Sequence, residues 1–171
     1  QLGIMAINKL EDEELDLSVR QNFFVVAGRE LDAEIKKSPG HAVYPWYRGL
    51  LLRRSGQDKE ALPYLELARQ FSPNKQVILF ELVSLYFNLG EKEKALKLAE
   101  QTYQSAPAFQ DAIGVYADAL IRHNRVEEAK TLLAGVTMPD LRLINAFVDV
   151  GEYEIVLELW QKIVDNSPQD V

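Results

Sequence analysis

The chain has no cysteine in its 171 residues, so disulfides and thiolate metal ligands are excluded and the redox compartment is left open. Histidine is almost as scarce: His41 and His123 are the two present, and they stand far apart in the chain. Neither has a carboxylate or a second histidine at ligand-like spacing on a shared helical face, and both read as loop residues at helix ends. Positive charge is the minority sign, with 19 Lys and Arg against 26 Asp and Glu, a net charge of −7 and a pI near 4.9. Nucleic acid and anionic membrane surfaces would be repelled, so neither is expected as a partner. No apolar run approaches the roughly 20 residues that span a bilayer, and direct membrane insertion of this segment is not expected. Glycine-rich phosphate loops, a nucleophile elbow and an HExxH helix are missing too. The oxygen-rich run from Asp165 to Asp170 lacks the spacing and central glycine of a calcium loop, and reads as a helix end and tail. These absences predict a non-enzymatic chain with no cofactor and no metal. The start at Gln1, without methionine or a signal-peptide pattern, reads as a fragment or a processed form.

What is present is a repeat. Apolar residues make up 47% and charged residues 26% of the chain, as in ordinary folded proteins, and the apolar ones recur three and four apart rather than in alternation. Pro39, Pro73 and Pro107 are equally spaced, with a period of about 34 residues (73−39 and 107−73). Midway before each of the last two lies a glycine, Gly56 and Gly90, and five places after each glycine an alanine, Ala61 and Ala95. Each glycine can take the left-handed conformation that ends a helix, and each proline forces the preceding residue out of the α region. A fixed period of this length reads as a solenoid of helix pairs, each burying its apolar face against its neighbours.

The phase continues with substitutions. Asn124 takes the glycine place and Ala129 follows it by five, but the closing Pro139 comes two places early, which predicts a short helix from about Val126 to Ala134. Gly151, Val156 and Pro168 recover the phase, with a short first helix from about Asp140 to Val150. Ser18-Val19-Arg20-Gln21 reads as a capping box opening a helix that runs to Lys37, and Asp58 as the cap of the helix that follows Gly56. Residues 2 to 10 are a further candidate helix, and Glu11 to Glu14 a solvated linker. The organisation predicted is one repeat domain over 1–171. It divides into degenerate N-terminal helices at 1–41, repeats at 42–75, 76–109 and 110–136, and a shortened repeat at 137–168.

Gly49, Ala61, Ala68 and Pro73, then Tyr86, Gly90, Ala95 and Pro107, then Ala117 and Ala129, resemble the signature of the tetratricopeptide repeat. Val83 and Thr102 stand where that family more often has small residues. The resemblance implies an all-α fold, a right-handed superhelical array of antiparallel helix pairs with about ten helices. It also implies a protein-interaction scaffold that holds a peptide or helix in its concave groove. Carried over place by place, the groove positions are Val43, Trp46, Leu50, Arg53 and Arg54 in the first full repeat. The next supplies Val77, Phe80, Ser84, Phe87 and Asn88, and the third Asp111, Gly114, Asp118 and Arg122. Each of these could equally serve inter-helix packing, Trp46, Leu50 and Phe80 above all. The family's carboxylate clamp of lysines and asparagines is absent, because its places carry Trp46, Leu50, Phe80, Ser84 and Gly114. A partner read through apolar anchors fits better.

A finer resemblance rests on the runs from Gln76 to Leu82 and from Glu154 to Trp160. These are similar to the soluble repeat part of bacterial O-antigen ligase or polymerase-like membrane proteins. That resemblance implies, as the alternative function, an accessory domain of a membrane glycan-assembly protein. The domain would then be periplasmic or extracellular, and otherwise cytoplasmic.

Overall fold

The computed structural model describes residues 16–134 and 141–166, in nine helices with no strand among them. The fold is an all-α helical-repeat solenoid, as the proline period predicts. The expected helix over residues 2–10, the linker at Glu11–Glu14 and the closing Pro139 and Pro168 lie outside the described residues. The chain divides into two compact units, residues 1–90 and 91–171, with the division directly after Gly90.

In the first unit, α1 (Leu17–Lys37), α2 (Val43–Arg54), α3 (Asp58–Phe71) and α4 (Gln76–Asn88) follow one another. Helix α1 buries Ala27, Gly28 and Leu31, and Leu51 of α2 closes this small core with Phe24, Tyr44 and Tyr47 packed around it. Arg48 pins three helices together. Its Nε donates to Asp32 Oδ1 of α1 at 3.1 Å, and its guanidinium lies 5.9 Å from the Phe24 ring centroid and 5.4 Å from that of Tyr64. The α2–α3 crossing is close because Gly49 lies on Leu65, where an added Cβ would stand 2.6 Å from Leu65 Cγ. Ala61, Leu65 and Ala68 of α3 are all fully buried, as the repeat phase requires.

The second unit holds α5 (Lys92–Ser105), α6 (Gln110–Arg122), α7 (Val126–Leu133), α8 (Leu141–Asp149) and α9 (Tyr153–Asn166). The short α7 and α8 agree with the shortened helices predicted from the early proline. Their core joins Ala117, Leu120 and Ile121 of α6 to Ala129 and Leu133 of α7, and to Leu143, Ile144, Ala146 and Phe147 of α8, with Leu159 from α9. Thr102, which departs from the small-residue pattern, is buried with its hydroxyl donating to the Leu98 carbonyl at 2.7 Å. That bond satisfies the hydroxyl within its own helix.

The breaks between paired helices share one geometry. Gly56, Gly90, Asn124 and Gly151 all have positive φ, and Asn124, at 61°, is the non-glycine residue with that conformation among the described residues. Gln57 N donates to Leu52 O, Arg125 N to Leu120 O and Glu152 N to Phe147 O, each at 2.9 Å. These are the six-to-one bonds of a Schellman ending. Two local expectations are corrected. Helix α1 begins at Leu17 with Asp16 as N-cap, so Ser18 lies inside the first turn, too late to cap it. Gln57 is the N-cap of α3, which makes Asp58 its first helical residue, and the Asp58 carboxylate instead accepts from Asn88 Nδ2 at 2.8 Å.

Candidate interaction surface

Repeat spacing sets the side chains of α2 and α4 in register: Val43 with Val77, Trp46 with Phe80, Leu50 with Ser84 and Arg53 with Phe87, each pair one full period apart. Trp46, Leu50 and Arg53 lie at i, i+4 and i+7 of one helix, Phe80, Ser84 and Phe87 at the same offsets of the other, so each set forms one stripe. Val43, Val77 and Ser84 are exposed, whereas Trp46, Leu50, Phe80 and Phe87 are half-buried. None of the eight is fully inside the core.

The two stripes are joined by Arg53. Its Nη2 donates to Ser84 Oγ at 2.8 Å, and its Nη1 donates to the Glu81 carbonyl at 3.3 Å and also to the Glu81 carboxylate. Asp58 Oδ1 lies 3.7 Å from its Nε. The Arg53 side chain is thus largely buried and engaged between α2 and α4, rather than extended as a free rim charge. Sequence spacing placed Arg53 on this face but did not signal Glu81 as its partner. Trp46 packs on Tyr47, with ring centroids 4.9 Å apart, and its indole Nε1 is buried with no hydrogen-bond acceptor among the described residues.

Arg54 and Asn88, the last residues of α2 and α4, are exposed, and the other predicted positions lie on α6, in the second unit. Asp111 and Arg122 are exposed, Asp118 is half-buried, and Arg122 Nε meets both Asp118 oxygens at 2.9 and 3.0 Å. An i,i+4 pair of this kind contributes about 0.3–0.5 kcal/mol. Gly114 stands one period after Phe80, and a Cβ added there would meet nothing within 4 Å. At one repeat position the side chain therefore falls from Trp46 to Phe80 to Gly114, which concentrates the large apolar groups in the first unit.

Titratable groups offer little chemistry. Burial raises the Tyr64 phenol above its usual range, helped by a hydrogen bond to Asp32; burial, and then the nearby Glu100 charge, do the same for Tyr116. His41 is exposed beside Tyr44, and His123 Nε2 lies 3.7 Å from Glu93 Oε1. Among the described residues no three His, Cys, Asp or Glu side chains come together as a metal-binding group, and no helix is long and apolar enough to cross a membrane.

Residues 93–142 match the family profile of the tetratricopeptide repeat. A tetratricopeptide repeat protein from Parabacteroides merdae ATCC 43184 superposes with a TM-score of 0.67 at 23% identity, covering 99% of this chain and 68% of that one. The MamA RS-1 ArsTM double mutant superposes with a TM-score of 0.62 at 14% identity, covering 96% of this chain and 94% of the other. At such identities the likeness is one of fold. No curated protein matches the chain, and the resemblance to glycan-assembly proteins finds no support among these matches.

Proposed function

We propose that this chain, which carries tetratricopeptide repeats and has their fold, is a non-enzymatic scaffold whose partner lies across the α2–α4 face. Repeats of this kind mediate protein–protein interaction in general; the location and character of the binding face are our reading. The observation that carries it is the paired stripe of Val43, Trp46 and Leu50 with Val77, Phe80 and Phe87, none of them withdrawn into the core. Large apolar side chains left at a protein surface mark interaction sites, and aromatic anchors tend to dominate interface energy. The partner that suits this face is a helix or extended segment with apolar side chains at regular spacing. Asp111, Asp118 and Arg122 belong to the same reading as a separate polar set that α6 offers to a partner.

The test is affinity capture from the native organism, followed by calorimetry with the identified partner. Trp46→Ala and Phe80→Ala are expected to weaken binding about 30-fold or more each, the loss of a strong anchor. Lys59→Ala, on the exposed side of α3, should leave affinity unchanged. Circular dichroism run in parallel shows whether the variants are folded. Wild-type affinity in folded Trp46→Ala and Phe80→Ala proteins overturns the reading.

A further inference from the structure

Helix α9 is apolar on two sides, and its own unit covers one of them. Leu159 is buried in the second unit's core, with Ile155, Val156 and Ile163 packed against it. On an adjoining side, about a third of a turn round, Tyr153, Leu157, Trp160 and Val164 are 63%, 70%, 45% and 60% exposed. Their spacing of four, three and four places (157−153, 160−157, 164−160) makes one continuous stripe at about 100° per residue. The same rotation sets Glu154, Gln161 and Asp165 along the open edge of the stripe, with Glu158 just beyond. Lys162, the one base in this helix, falls on the far side, in a concavity it lines with Lys130, Glu152, Glu154 and Glu158. The stripe is therefore bordered by carboxylates and by no cation of its own helix.

We propose that this stripe is a docking surface for an amphipathic helix of a partner protein that carries Lys or Arg beside its own apolar row. Charge selects this occupant. A helix with a basic flank meets the edge carboxylates Glu154 and Asp165 favourably, whereas an acidic or neutral flank does not. A second copy is the competing occupant. Antiparallel pairing about the stripe's centre would set Tyr153 against Val164 and Leu157 against Trp160, a fair match of shape. It would also bring the two acidic edges together in chains that each carry −7. This surface is distinct from the α2–α4 face and does not depend on it.

The probes are two synthetic helical peptides of about five turns, with leucines at i, i+4, i+7 and i+11. One carries lysines beside the leucines and the other glutamates. Fluorescence anisotropy should show the lysine peptide binding at least tenfold more tightly, with affinity falling as salt rises from about 50 to 300 mM, as screening requires. Leu157→Ser and Trp160→Ser change exposed side chains, so folding should persist, and each should weaken the lysine peptide at least tenfold. The double variant Glu154→Lys with Asp165→Lys should lose or invert the preference between peptides. Equal affinity for the two peptides overturns the proposal, as does binding untouched by Leu157→Ser. Loss of binding in Phe80→Ala but not in Leu157→Ser would assign the peptide to the other face and equally overturn it. Sedimentation showing a dimer abolished by Leu157→Ser would identify a second copy as the occupant, against the proposal.

Discussion

Two glycines of the same helical-repeat grammar behave oppositely because their surroundings differ. A Cβ at Gly49 would stand 2.6 Å from Leu65 Cγ and 2.7 Å from its Cδ2, and Leu65 is fully buried with nowhere to move. The roughly 1 kcal/mol that alanine gains over glycine in a helix is then outweighed by an overpacking cost of about 1–3 kcal/mol. Gly114 has no neighbour within 4 Å of the same added atom. Gly49→Ala should lower the denaturant midpoint, and Gly114→Ala should raise it, by up to about 1 kcal/mol in stability. Tyr64 supplies a titration. Burial and the hydrogen bond to Asp32 raise its phenol, so the folded state holds the proton more tightly than the unfolded one. Stability from this group is complete below the ordinary tyrosine value of about 10, and it is lost as pH rises through the higher folded value. Thermal unfolding between about pH 9 and 11 should show that alkaline loss, and Tyr64→Phe should lessen it, Tyr116 supplying the rest.

At the scale of elements, the helix breaks were the most legible part of the sequence. Gly56, Gly90, Asn124 and Gly151 were readable because a left-handed residue is a local backbone requirement, and all four have positive φ. Asn124→Gly should be neutral or slightly stabilising, whereas Asn124→Ala should cost about 1 kcal/mol, since alanine lacks the side-chain compensation asparagine has there. Chemical denaturation of the pair decides this; equal stabilities would mean the turn is not strained. Helix starts were less legible. Ser18 and Asp58 had suitable chemistry for caps, but each helix began earlier than such a cap allows, and Asp58 was recruited by Arg53 and Asn88. Capping residues also serve long-range partners, and sequence spacing does not reveal which use prevails.

For the whole molecule, the surplus of acid over base sets behaviour towards polyanions and towards itself. With a net charge of −7 and a pI near 4.9, the chain should pass unretained through heparin at about 0.15 M salt and be least soluble near pH 4.9, where self-repulsion vanishes. Retention on heparin would reveal a basic surface that the overall composition conceals.

The sequence by itself determined the helical class, the repeat phase, the left-handed breaks and the buried alanines Ala61, Ala68 and Ala95. Each follows from local backbone preference and from a periodicity that puts one helical face inward. It also set the candidate stripes of α2 and α4 in register, since residues one period apart occupy equivalent places. Only the tertiary structure decided which of those side chains are engaged and which are bare. Arg53 became a cross-link because folding brings Glu81 and Ser84, both in the next repeat, within hydrogen-bond reach. The same logic applies to α9, where both apolar sides have helical spacing. Leu159 is covered and Leu157 is not. Periodicity tells which residues share a face, but whether a face is buried depends on the neighbours that long-range packing brings to it.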